Sequence, residues 1–133
     1  MAQGSWRRSV HLLAAPSSPG EARRFVADAV AGILSPLDVD FMVLMTSEVV
    51  TNAVMHTGTP VDLVVRGVGR GGVQVEASDS GEEMPLLGPE SLGSERGRGM
   101  TIVAALSDSW GVTQRPKGKT VWFRYRPNVA GDT

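Results

Sequence analysis

Two hydrophobic periods succeed one another along this chain, and each change of period marks a new element. A short apolar segment in residues 6–14, built on Val10, Leu12 and Leu13, reads as a first strand. The run Ser18-Pro19-Gly20-Glu21 then signals a helix start. Ser18 can cap, Pro19 suits the first helical position, and Glu21 is placed to reach back to the cap amide. Ala22, Phe25, Val26, Ala29, Val30 and Ile33 follow at the spacing of one buried helical face. Ser35-Pro36-Leu37-Asp38 repeats the start signal with an acid in the first turn. This second helix is expected to run to about His56, where Thr57-Gly58-Thr59-Pro60 stops it. Between 41 and 55 it is apolar nearly all round, so burial on most sides is expected.

Strict alternation returns at 61–66 and 73–78, joined by the glycine-rich stretch 67–72, which predicts an antiparallel hairpin. From 79 to 98 no periodicity survives, and a structureless connection of this length points to a functional loop. A short helix over 99–107 follows, then a second hairpin of 110–114 and 120–126 and a frayed tail from 127 onward. Hairpins impose antiparallel pairing and the helices must cover a sheet face. The expected fold is therefore an α+β two-layer sandwich, a mixed, mostly antiparallel sheet covered on one face by helices. It forms a single domain over 1–133 with its core at about 9–126.

Composition narrows the function classes. With 133 residues, 41% hydrophobic and 20% charged, the chain has enough apolar content for a core and is neither disordered nor collagen-like. The absence of cysteine excludes disulfides, zinc ribbons and thiol catalysis, and suits a reducing, cytoplasmic setting. No apolar run approaches the ~20 residues a bilayer needs, and no secretory leader opens the sequence, so no membrane is expected. A net charge of -1 without a basic face argues against direct nucleic-acid binding.

Three places can carry chemistry. Glu48 and Asn52 stack four apart on the apolar second helix. A carboxylate there must be paired, as by an arginine, or must line a cleft; in a cleft Glu48 suits a general base and Asn52 an oxygen ligand for a divalent ion. Asp79-Ser80-Gly81 ends a strand, either as a simple turn or as an acceptor aimed into a pocket at an exocyclic amine. Gly97-Arg98-Gly99 precedes a helix, either as a hinge or as a place where backbone amides approach phosphate.

Taken in order, these motifs resemble the ATPase superfamily of gyrase, histidine kinases and MutL, with its Bergerat-type nucleotide fold. Within it they resemble most the small anti-sigma-factor serine/threonine kinases. The stretch from Glu48 through Asn52 to His56 is similar to the N box, Asp79-Ser80-Gly81 to the first glycine box, and Arg96-Gly97-Arg98-Gly99-Met100 to the second. Trp110-Gly111-Val112 and Gly118-Lys119-Thr120-Val121-Trp122-Phe123 resemble the closing hairpin. The resemblance implies ATP and Mg²⁺ as cofactors, with Asn52 holding the metal and Asp79 accepting from the adenine amino group. Gly81 would let the backbone pass close to the base, and Thr120 would sit near the adenine. Gly97 and Gly99 would lie in a lid over the phosphates, with Arg98 and Met100 also among the ATP-binding residues. Glu48 would activate a partner's serine hydroxyl. The implied partners are a sigma factor and an antagonist (anti-anti-sigma) protein, and homodimerisation is a family expectation. Two departures, Glu83 in place of a second glycine and an acidic lid with Glu82, Glu90 and Glu95, motivate an alternative. In it the chain is a catalytically weak ATP-binding module that regulates by sequestering a partner.

Overall fold

The alternation at 61–66 becomes strand β2, Val61–Val68, in a computed structural model that describes residues 6–81 and 95–127. Val61, Leu63 and Val65 are fully buried on one side, while Asp62, Val64 and Arg66 occupy the other. β2 pairs antiparallel with β3, Gly72–Asp79, with Val65 opposite Val75 and Leu63 opposite Ala77. Gly69 and Gly71 make the turn at φ 56° and 73°, a region that suits glycine.

β1, Arg7–Leu12, adds to the free side of β2, and β5, Lys119–Tyr125, to that of β3. β4, Ser109–Gln114, closes the far edge against β5, giving the order β1-β2-β3-β5-β4. Every paired strand in this five-stranded sheet is antiparallel, so the expected parallel component is absent among the described strands. The expected α+β architecture is otherwise the one observed.

All three helices, α1 (Ser18–Val30), α2 (Pro36–Thr57) and α3 (Glu95–Leu106), contribute buried side chains to one hydrophobic core. Ser18 begins α1 but does not cap it. Its buried hydroxyl donates to the Leu13 carbonyl, and the cap position falls to Ser17, whose carbonyl accepts from Glu21 N at 3.1 Å. The helix ends at Val30, where Ala31 is extended and Gly32 adopts φ 82°, so Ile33 leaves the buried stripe and is 48% exposed.

α2 starts as expected. Ser35 Oγ accepts from Asp38 N at 3.2 Å, and Gly58 ends the helix at φ 66°. Met42, Met45, Val49, Val50 and Ala53 are buried, but Leu44 and Met55 face out, so the expected burial on most sides is one-sided in fact. α2 packs against both α1 and α3 and over the sheet, which leaves an outer face to solvent.

α3 begins a full turn earlier than expected, placing Gly97 and Gly99 inside the helix. Each glycine costs a helix about 1 kcal/mol relative to alanine, which is why the sequence pattern breaks there. Burial of Met100 and Val103 outweighs that cost. The stretch 82–94, with Glu82, Glu83 and Glu90, and the tail beyond 127 lie outside the described residues, as do the side chains of His56, Glu95, Arg96 and Arg98. No helix among the described residues is long and apolar enough to cross a membrane.

Candidate functional site

The period of a strand decides which end-of-strand residues share a side. On β5 Val121, Phe123 and Tyr125 are buried, so Lys119, two before Val121, also turns inward. On β3 the inward set is Val73, Val75, Ala77 and Asp79. The register sets Asp79 directly opposite Lys119. Lys119 Nζ lies 3.2 Å from both Asp79 Oδ1 and Oδ2, with the two side chains only 5% and 1% exposed. Burying either ion alone would cost several kcal/mol, so each makes the other's position tenable.

The backbone around this pair is tightly constrained. Gly81 N donates to Asp79 Oδ1 at 2.8 Å, an Asx-type turn that leads the chain out of β3. A β-carbon on Gly81 would meet the Thr57 side chain at 2.3 Å, so its bare backbone lies against the last residue of α2. Thr57 Oγ1 also pairs with Thr59 Oγ1 at 2.9 Å, and Thr59 Oγ1 accepts from Ser80 N at 3.3 Å. Gly118 approaches the same place from the other hairpin. At φ 102° its added β-carbon would fall 1.8 Å from the Asp79 carbonyl oxygen, so only glycine fits.

Thr120 is turned the other way. Its hydroxyl lies 2.7 Å from that of Ser78 on the uncovered face of the sheet, beside the Arg66–Glu76 ion pair and the Gln74–Arg124 contacts. The residue that accompanies Asp79 is Lys119, not Thr120. Met100 is likewise sealed in the core, 1% exposed, where it anchors α3.

Glu48 and Asn52 stand on the part of α2 that leads to Thr57, five residues and roughly 7.5 Å of helix rise beyond Asn52. Glu48 is half-buried and has no ion-pair or hydrogen-bond partner among the described residues. Among the described residues Asn52 Nδ2 is buried without a partner, as are the hydroxyls of Thr46 and Ser107. A buried amide lacking a partner is uncommon and costs on the order of 1–3 kcal/mol, so Asn52 is pre-set for a polar ligand. Among the described residues no three His, Cys, Asp or Glu side chains converge on a metal position. An ion held by Asn52 would therefore need its remaining oxygen ligands from a phosphate-bearing molecule and water.

The sequence marked Glu48, Asn52, Asp79 and Gly81. It gave Gly118 and Lys119 a place only in the closing hairpin and Thr57 and Thr59 only in a helix stop, although the inward phase of Val121, Phe123 and Tyr125 already determines the direction of Lys119.

Residues 12–125 match the family described as the histidine kinase-like ATPase domain. Among solved structures, the chain is similar to that of the RsbU and RsbW domains of Rv1364c from Mycobacterium tuberculosis, with a TM-score of 0.69 and 19% identity. That likeness covers 92% of this chain and 32% of the other, so the chain spans about a third of that structure's length. No curated protein sequence is detectably similar. With five antiparallel strands under three helices and a family match across nearly all of them, the chain belongs to the histidine kinase-like ATPase domain family.

Proposed function

We propose that this chain is an ATP-binding regulatory protein of the anti-sigma-factor kinase type, a cytoplasmic serine/threonine kinase that phosphorylates an antagonist protein and also holds a sigma factor. The observation that carries the reading is the stacking of Glu48 and the Asn52 amide one turn apart on α2, neither with a partner among the described residues. Family membership and the fold shared with an RsbW-containing structure support it.

Bound ATP with Mg²⁺ supplies the γ-phosphoryl group in a charge-neutralised form. Asn52 would hold the ion through its amide oxygen. Glu48 takes the proton from the incoming serine hydroxyl. Asp79 accepts from the purine amino group. The first turn of α3 leaves backbone N–H groups without helical partners, those of residues 96 and 97 among them, and these suit phosphate oxygens.

The test is Glu48→Ala. General-base assistance contributes roughly 10²–10⁴-fold, so transfer from labelled ATP to an antagonist serine should fall at least a hundredfold while the Kd for Mg-ATP stays within about threefold. Undiminished transfer would remove Glu48 from the chemistry.

A second reading, a module that binds ATP but regulates only by sequestering its partner, is favoured by one feature: the Asp79 carboxylate is already engaged by Lys119. Tight nucleotide binding with no phosphoprotein formed from any antagonist would select it.

A further inference from the structure

The side of the sheet away from the helices is a network of cross-strand pairs whose charges do not cancel. Gln74 is its centre, 6% exposed although its neighbours Val73 and Val75 take the inward side. Its amide is used at both ends. Nε2 donates to Glu76 Oε2 at 2.7 Å, and Oε1 accepts from Arg124 Nε and Nη2 at 2.9 and 2.7 Å. Glu76 is also held by Arg66 at 2.9 Å, and Asp62 on the same side by His11 at 2.6 Å. Both carboxylates are thus engaged, while Arg115 and Arg124 have no carboxylate partner among the described residues. A neutral amide fixes the Arg124 guanidinium in place and leaves its charge uncompensated.

Alternation sets Thr120, Trp122 and Arg124 in a row on this side of β5. Arg115 Nη1 lies 3.4 Å from Thr120 Oγ1, so a guanidinium stands at each end of the row with the indole between them. A β-carbon on Gly111, the β4 residue opposite, would meet that indole at 2.9 Å, so the ring lies down on the β4 backbone. These side chains line a cleft of about 430 Å³, and tryptophan and arginine are the residues that dominate binding hot spots. Its complement is an apolar side chain flanked by two anions. Glu76 in the cleft wall and Asp62 beyond it repel a continuous phosphate backbone, whereas two discrete carboxylates can reach the arginines and avoid them. Four residues of strand span about 13 Å, and positions i and i+8 of a helix about 12 Å. We propose that the uncovered sheet face docks an acidic amphipathic helix of a partner protein, one with acidic, apolar and acidic side chains at successive four-residue steps. The site is separate from Glu48 and Asn52 and does not depend on nucleotide binding.

Fluorescence anisotropy of a labelled helical peptide with Glu, Leu and Glu at that spacing, titrated with the full chain, tests the assignment. Binding should be saturable and should weaken at least tenfold between 50 and 500 mM NaCl. Arg115→Gln and Arg124→Gln should each weaken it on the order of fivefold, as should scrambling the peptide. Arg115 is exposed, so its substitution reads out even where Trp122→Ala or Arg124→Gln disturbs folding. Absence of binding, or affinity unchanged in folded Arg115→Gln and Arg124→Gln, overturns the proposal. So does tighter binding of a labelled oligothymidylate, which would give the face to nucleic acid. A dimer in sedimentation that Trp122→Ala dissociates would give it to a second copy of the chain, and overturns the proposal equally.

Discussion

Tyr125 ends β5 with its hydroxyl donated to Asp38 Oδ1 at 2.5 Å and its ring edge-on to Phe41, centroids 6.3 Å apart. Burial first, then the Asp38 hydrogen bond and the charges of Asp38 and Asp108, push its ionisation well above that of a free phenol. The folded chain therefore keeps a proton that the unfolded chain releases near pH 10, and stability contributed below that pH is lost as the pH rises past it. Alkaline unfolding should be visibly steeper in the native chain than in Tyr125→Phe. At neutral pH the substitution should cost only about 1 kcal/mol for the lost hydrogen bond. Because the sequence holds a single tyrosine, its ultraviolet titration reports this residue alone, and an onset at the free-phenol pH would contradict the argument.

The helices and strands owe their limits to local chemistry of uneven legibility. Ser35 is a working cap on α2, and Ser35→Ala should lower stability by about 1 kcal/mol, read as a reduced urea midpoint at unchanged slope. Ser18, whose hydroxyl is drawn to Leu13, makes no such bond, so two similar serine–proline signals have different outcomes. The start and stop of α2 and the pairing of β2 with β3 were readable because caps, glycines and alternation agreed there. The start of α3 was not, since Gly97 and Gly99 argue against helix locally and only the burial of Met100 and Val103 reverses them. At the site, Asp79 was legible as a strand-end acid but its partner was not. Beginning β5 at Thr120 puts Lys119 in the turn, outside the alternation of Val121, Phe123 and Tyr125 that gives its direction.

For the molecule as a whole, ligand binding and folding are linked. At a hundred times its Kd a ligand specific to the folded state adds ~2.7 kcal/mol, an increase in melting temperature on the order of 10 °C for a chain of this size. Mg-ATP should produce such a shift in the native chain. In Asn52→Ala the ligand-free melting temperature should barely change, because the amide has no partner to lose, while most of the Mg-dependent shift should vanish. A full shift in Asn52→Ala, measured by scanning fluorimetry, would remove the metal from that residue.

The position of β5 between β3 and β4 also orders events during biosynthesis. A nascent chain that has delivered β4 to the ribosome exit holds a strand whose described neighbour has not yet emerged. The Asp79 carboxylate is then without its counter-ion, and Gly118 has not yet closed over its carbonyl. Emergence of Lys119–Tyr125 joins both halves of the sheet and neutralises the buried charge in one act, so those seven residues decide when the sheet can close.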